Sequence, residues 1–308
     1  MRALLLTHVD LDGVCSAAIA KRFIGDDPAV EFSGPREISA SLKKLSTEWE
    51  KIIITDISVN HDQVENIIKE LSRFRGDQIT WVDHHNWMAE DLDRIAKYCS
   101  LVVEHSPSAA SLFFRKFTPT DEVAREIAQI GDDGDTNTNS LDNTLAYKLG
   151  IRSDNNKRYL IDAFSDGIFT GDFLSKWKKD LLQEVSESKR IVSGLKASVN
   201  SNGRKYALLD MRRKKASGTY TAKLAAEELS LDFIAVIYSC SSISFYKGLA
   251  DDIDLLPVAL KHQGGGHKYA CGANPRVTPF ERLLCILNVH YLTRELRQII
   301  KELDILIK

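Results

Sequence analysis

Thiols are few and scattered: the 308 residues hold 5 cysteines, Cys15, Cys99, Cys240, Cys271 and Cys285, with no Cys-x-x-Cys pair. That spacing argues against a thiolate zinc site and a disulfide framework, and predicts reduced thiols buried as small apolar residues. Missing too is any apolar stretch near the roughly 18 residues a membrane span needs. The chain enters its first strand without the basic and apolar segments of a signal peptide. The expectation is a cytoplasmic protein with no membrane partner. Net charge is only −2, so a polyelectrolyte partner would have to be held by a local patch. There is no internal repeat and no low-complexity tract. What remains is ordinary globular material, 44% hydrophobic and 27% charged, in a chain long enough for two domains with their own cores.

The chain is organised around His8-Val9-Asp10-Leu11-Asp12-Gly13, which lies between the apolar run Ala3-Leu4-Leu5-Leu6 and the Ala-rich segment Val14 to Ala20. An apolar run of that length reads as a buried strand and the Ala-rich segment as a helix, so one imidazole and two carboxylates crowd a strand-to-helix turn. Like charges this close repel unless a proton or cation separates them, and the alternation aims several ligating atoms at one spot. A metal site is the economical reading. The bland alternative, that Asp10 and Asp12 only cap the helix, accounts for one Asp but not for two with a His.

Apolar runs at Ala3 to Leu6, Ala29 to Phe32, Ile52 to Ile54, Ile79 to Val82 and Leu101 to Val103 alternate with helical patterns at Asp12 to Phe23, His61 to Leu71 and Ser108 to Phe117. The alternation predicts a mostly parallel sheet with helices on both faces, and ligands then collect beyond the carboxyl ends of the strands. Polar clusters should follow the other strands. Asp56 ends the third and Asp83-His84-His85 the fourth, while a helix opened by Pro119 and running through Val123, Ile127 and Ile130 leads into Gly131-Asp132-Asp133-Gly134-Asp135.

Residues 173 to 195 are long, polar and helical, which suits a bridge between domains. Asn202-Gly203 reads as a hairpin turn, followed by a strand at Tyr206 to Leu209, a helix at Thr219 to Leu229, and strands at Phe233 to Ser239 and Ile243 to Tyr246. This second, smaller α/β domain contains Gly264-Gly265-Gly266-His267-Lys268-Tyr269. Leu284, Leu287, Leu292, Leu296, Ile299, Ile300 and Leu303 recur at helical spacing in a closing tail from Phe280 to Ile307.

With His8-x-Asp10-x-Asp12-Gly13, Asp56, Asp83-His84-His85, Asp135 and the glycine run in this order, the chain resembles the DHH phosphoesterases with a DHHA1 partner domain, including the RecJ-like exonuclease and nanoRNase types. The resemblance implies a dimetal domain over residues 1–172, a linker helix over 173–198 and a DHHA1 substrate-binding domain over 199–308. It implies two Mn2+ ions, with Mg2+ as the alternative: one held by His8, Asp10 and Asp56, the other by Asp12, Asp56, His84 and Asp135, with Asp56 bridging. His85 would face the scissile phosphate, with Asp83 orienting the imidazoles. Independently, carboxylate and imidazole without thiolate suit these ions better than structural zinc. Asp132, Asp133 and Asp135 compete for the last ligand position; the spacing Gly131-x-x-Gly134-Asp135 resembles RecJ-like members, with Asp132 the runner-up.

The same resemblance implies that Gly264, Gly265, Gly266 and His267 hold the substrate end away from the cut, although three glycines also suit a plain turn. Members of the family commonly carry an arginine after a Ser-apolar pair, where Ser244-Phe245 is here followed by Tyr246 and Lys247. Tyr269 is the candidate for stacking on a base. Arg212, in Arg212-Arg213-Lys214-Lys215, reads either as part of a solvated face or as a tracker of a nucleic acid backbone. Ser106 and Ser108 fit either phosphate contact or a turn around Pro107.

The expected activity is manganese-dependent hydrolysis of single-stranded RNA or DNA, short oligonucleotides included, to mononucleotides by a two-metal-activated water. The alternatives keep the chemistry and change the substrate, to a 3',5'-bisphosphate nucleotide or a cyclic dinucleotide, or make the chain a replisome-associated RecJ-like subunit. A protein partner in replication or repair, or a second copy of the chain, could cover the apolar tail; covering its own domain is the plainer outcome.

Overall fold

The computed structural model describes residues 2–267, 270–288 and 290–307, in two compact units, Met1–Leu181 and Leu182–Lys308. The first unit is built on a five-stranded, all-parallel sheet in the order β2-β1-β3-β4-β5, from β1 (Ala3–Thr7), β2 (Ala29–Phe32), β3 (Lys51–Thr55), β4 (Ile79–Asp83) and β5 (Ser100–Val103). Side chains alternate across a strand, and here both faces are apolar. Leu5, Ile53 and Val82 fill one core, and Leu4, Leu6, Ile52, Ile54, Ile79 and Trp81 the other.

Helices α1 (Leu11–Ile24), α5 (Ala109–Phe117), α6 (Glu122–Asp135), α7 (Thr144–Gly150) and α8 (Asp154–Ser165) contribute to the first core. The second is covered by α2 (Ile38–Lys44), α3 (Val64–Leu71) and α4 (Ala89–Ile95). The hydrophobic pattern signals the long helices and says nothing of α2, α4, α7 and α8, which supply one or two turns each or carry mixed polar faces.

Helix α6 corrects one expectation. Asp121, not Pro119, sets its start, its carboxylate accepting from the amides of Val123 and Ala124. The acidic run expected to follow the helix is its final turn, which separates Asp132 from Asp135 by one helical step.

Helix α9 (Asp172–Ser193) contributes Leu174 and Trp177 to the core of the first unit and Val192 to a core of the second. The second unit carries a mixed six-stranded sheet, β10-β11-β9-β8-β7-β6, from β6 (Ser198–Val199), β7 (Lys205–Asp210), β8 (Phe233–Ser239), β9 (Ser242–Lys247), β10 (Gly265–His267) and β11 (Ala270–Ala273). Its helices are α10 (Gly218–Leu229), α11 (Leu256–Lys261), α12 (Pro279–Leu287) and α13 (Arg294–Leu306). The β6–β7 turn holds Asn202-Gly203, with Gly203 at φ 81°.

The closing tail is two helices and not one. Thr278 and Thr293 each cap a helix by accepting an amide three residues on, at Glu281 and Leu296. Such caps restart the helix without disturbing apolar spacing, which is why periodicity alone runs through the break. Leu296, Ile299 and Leu303 of α13 are buried, whereas Leu287 at the end of α12 is 75% exposed. Cysteine use also departs from expectation. Cys15, Cys99 and Cys271 are free and buried, but Cys240 and Cys285 lie against each other with Cα atoms 6.5 Å apart, within reach of a disulfide. No helix among the described residues is long and apolar enough to cross a membrane.

Candidate metal centre

The strand order 2-1-3 reverses direction at β1, which opens a crevice beyond the carboxyl ends of β1 and β3. Thr7 and Thr55, last residues of those strands, close its floor: Thr55 Oγ1 donates to Thr7 Oγ1 at 2.8 Å, and Thr7 Oγ1 to the Gly13 carbonyl at 2.6 Å. Gly13 is where α1 passes against the turn that presents His8. A Cβ there would stand 2.3 Å from the His8 carbonyl oxygen, so only glycine permits this approach.

Each acidic or imidazole side chain is set by its own element. Asp10 caps α1 by accepting from the Gly13 amide at 3.0 Å. The capping alternative therefore holds for one of its oxygens, while the other lies 3.0 Å from His8 Nδ1. Asp12, in the first turn of α1, accepts from the Ala109 and Ala110 amides at 2.7 and 2.9 Å, at the N-terminus of α5 where the helix dipole favours a carboxylate. Asp56 follows β3 at φ 58°, a left-handed conformation that Asp tolerates better than most residues. His84 and His85 follow β4, and Asp135 ends α6.

These elements bring His8, Asp10, Asp12, Asp56, His84 and Asp135 together. Asp56 is shared: its Oδ2 lies 3.6 Å from His8 Nδ1, and its Oδ1 lies 3.6 Å from His84 Nε2. His84 Nε2 is also 3.6 Å from Asp12 and 3.7 Å from Asp135. Two groups of potential ligands follow, His8-Asp10-Asp56 and Asp12-His84-Asp135, each with its ligand atoms within 4.8 Å of one another, and His85 joins Asp56 and His84 in a third. The competition among the acids of α6 is decided by helical step. Asp132 accepts from the hydroxyls of Ser108 and Ser111, and Asp133 from Thr138, Ser140 and Thr144, which leaves Asp135 facing His84.

Hydrogen bonds fix the two imidazoles differently. His85 Nδ1 stands 2.8 Å from Asp83 Oδ1, and the other Asp83 oxygen accepts from Trp87 Nε1 at 2.6 Å. His84 is held instead by the Ser106 carbonyl, 3.1 Å from its Nδ1, so Asp83 orients one imidazole and not both. The Ser106 carbonyl can only accept, so the His84 proton sits on Nδ1 and its Nε2 is left as a lone-pair donor.

The electrostatics are those of a site short of positive charge. Burial, together with the charges of Asp10 and Asp135, pushes the Asp12 carboxyl up; burial and the charges of Asp12, Asp10 and Asp83 push Asp56 up as well. Asp135 is raised by burial as well. Burial lowers His85, but its bond to Asp83 outweighs that and lifts it to about 9. His8 Nδ1, Asp56 Oδ2 and His84 Nε2 are buried without a hydrogen-bond partner among the described residues. Buried polar atoms are rarely left so. Crowded carboxylates and imidazole nitrogens converging on shared space fit divalent cations, and an oxygen-and-imidazole set suits Mn2+ or Mg2+.

The model described as DHH family, N-terminal domain, matches residues 2–146. Over those residues the chain is similar to the DHH family. Among curated proteins it is similar to Oligoribonuclease NrnB of Bacillus subtilis (strain 168), 22% identical over 293 residues, 88% of this chain and 72% of that one. Among solved structures it shares the fold of the pGpG-specific phosphodiesterase PggH from Vibrio cholerae, with a TM-score of 0.60 at 17% identity over 98% of this chain and 99% of that one. Exonuclease RecJ bound to manganese gives 0.59 at 12%, over 99% of this chain and 94% of that one.

Away from this centre the expected substrate contacts fare unevenly. Arg212 is buried and committed: its guanidinium grips both oxygens of Asp210 at 2.9 and 2.6 Å and donates to the Tyr291 carbonyl at 2.7 Å. That corrects its assignment as a tracker of nucleic acid, because a charge drawn into a buried pair cannot also meet a phosphate. Gly264, Gly265 and Gly266 are not a free turn. A Cβ on Gly264 would stand 1.9 Å from the Gly272 carbonyl oxygen, and Gly265 to His267 form β10, the edge strand. An edge strand leaves half of its backbone groups without a ladder partner. The side chain of His267 and all of Tyr269 lie outside the described residues. Ser108 caps α5, which is the turn alternative, and Ser106 serves the site through its carbonyl. The Ser106 carbonyl and the α5 amides carry no side-chain signal, so no sequence pattern announces them.

Proposed function

We propose that the chain is a Mn2+-dependent phosphodiesterase that hydrolyses short single-stranded oligonucleotides to mononucleotides. The observation that carries the reading is Asp56, one oxygen toward His8 and the other toward His84, as a carboxylate shared between two cations would be. His8, Asp10 and Asp56 would hold one ion, and Asp12, Asp56, His84 and Asp135 the other. Such a pair, when bound, lowers the pKa of water and clamps the attacking and leaving oxygens of an in-line displacement. His85 keeps its Nδ1 on Asp83 and offers Nε2 to the charge that develops on the phosphate. The amides of Ala109 and Ala110 oppose the upward push on the Asp12 carboxyl and keep it aimed. Names among the similar proteins, an oligoribonuclease and a pGpG phosphodiesterase, favour a short substrate over a long one.

The test is end-labelled RNA and DNA of graded length, with a 3',5'-bisphosphate nucleotide and a cyclic dinucleotide alongside, under Mn2+ and then Mg2+. Fastest turnover on oligomers of two to five nucleotides, lost in Asp56→Ala, supports the proposal. Turnover confined to the bisphosphate or the cyclic dinucleotide moves the chain to those substrates. An Asp56→Ala variant as fast as the parent overturns the dimetal reading.

A further inference from the structure

We propose that the cavity between the ends of β1, β2 and β3 is a nucleoside subsite beside the metal centre, and that Arg36 sets its selectivity. The cavity has a volume of about 470 Å3, within the range small ligands occupy, and His8 forms one of its edges. Its other walls are of two kinds. Val9, Phe32 and Pro35 are apolar; Ser33, Arg36, Glu37 and Asn60 are polar. A flat heteroaromatic ring with a hydroxylated sugar needs that mixture, whereas an isolated phosphate would gain nothing from the apolar wall and would meet Glu37.

The cavity is preformed. The Ser33 amide donates to the Thr7 carbonyl at 2.9 Å, which fastens the start of the 33–37 loop to β1. Asn60 Nδ2 donates to the Pro35 carbonyl at 3.4 Å and Gln63 Nε2 to the Arg36 carbonyl at 3.1 Å, which fastens the rest to the segment after β3. Phe32 is held from its own side by Lys157 and Arg158, 5.1 and 5.4 Å from the ring centroid. On this fixed backbone Arg36 is exposed, and its guanidinium makes no ion pair among the described residues. A planar, always-charged fork is suited to stacking on a base or bonding its edge. Val9 is 44% exposed between two ligand residues of the turn, an apolar side chain left open where a ring could cover it.

The inference deepens the phosphodiesterase reading and rests on it for the phosphate next door. Its test compares two phosphodiesters under Mn2+, a 5'-phosphorylated ribodinucleotide and bis(p-nitrophenyl) phosphate, which has no nucleoside. In Arg36→Ala, kcat/KM should fall about tenfold more on the dinucleotide than on the synthetic diester, mostly through KM, with partial rescue in Arg36→Lys. Equal losses on both, or none on either, overturn the subsite. Fluorescence anisotropy with labelled adenosine 5'-monophosphate decides the cavity apart from catalysis: affinity about tenfold weaker in Arg36→Ala supports it, and equal affinity overturns it. A parent that binds the monophosphate but splits neither diester refutes the phosphodiesterase reading and leaves the cavity judged by binding.

Discussion

Asp83 and His85 sit two residues apart on the end of β4, yet a 2.8 Å contact locks the imidazole to the carboxylate, whose other oxygen is occupied by Trp87. Asp83 is fully buried and so acts only through what it holds. Asp83→Asn should keep the fold and the metal content, measured by elemental analysis, while kcat falls about 10- to 100-fold, the usual loss when such an orienting partner is removed. A parent-like kcat would show that His85 needs no anchor.

Asp56 presents the opposite case, a carboxylate whose environment opposes its charge. Burial and the charges of Asp12, Asp10 and Asp83 all push its carboxyl up. Asp56→Asn should therefore raise the thermal midpoint of the metal-stripped protein, because asparagine tolerates the left-handed backbone and relieves the repulsion. The same variant should lose the stabilisation that Mn2+ gives the parent, about 2.7 kcal/mol at a hundredfold excess over Kd. Scanning calorimetry with and without Mn2+ reads both. A metal-free midpoint below the parent's would mean the carboxylate is structural.

Arg212 is expected to matter for stability and not for substrate. Arg212→Ala leaves Asp210 with His290 and the amide of residue 212, and the Tyr291 carbonyl without its donor. The cost should be about 2 kcal/mol in urea unfolding, the scale of a lost charge-assisted hydrogen bond. The salt dependence of oligonucleotide affinity should not change, since no phosphate contact is lost. A slope reduced by about one would return Arg212 to the binding surface.

Glu302 gives the second unit an acid limit. Burial raises its carboxyl, but Lys261, Gln298 and His262 outweigh burial and hold it at about 2, below its ordinary 4.5. A carboxyl depressed in the folded state stabilises fully above the unfolded value, and that contribution is lost as pH falls from 4.5 toward 2. Glu302→Gln should lower the urea midpoint at pH 7 and flatten its decline between those two values. An equally steep decline in the variant would place the acid sensitivity elsewhere.

The parallel sheet was legible in the sequence because apolar runs such as Lys51 to Thr55 and Ile79 to Asp83 must be buried on both faces, and the polar residues that end them must lie on one rim. The identity of the convergent side chains was legible for the same reason: His8, Asp10, Asp12, Asp56 and His84 each follow a strand. Three matters waited for the folded chain. Asp135 is separated from Asp132 by one turn of α6, and only the packing of that helix turns one toward His84 and the other toward Ser108 and Ser111. Arg212 reads as surface charge until Asp210 and the Tyr291 carbonyl are seen to enclose it. The cavity at Arg36 is assembled from segments that follow three different strands, and the backbone carbonyls and amides that fix it leave no mark in the order of residues. Local order sets which groups can reach the rim; how helices pack sets which of them meet.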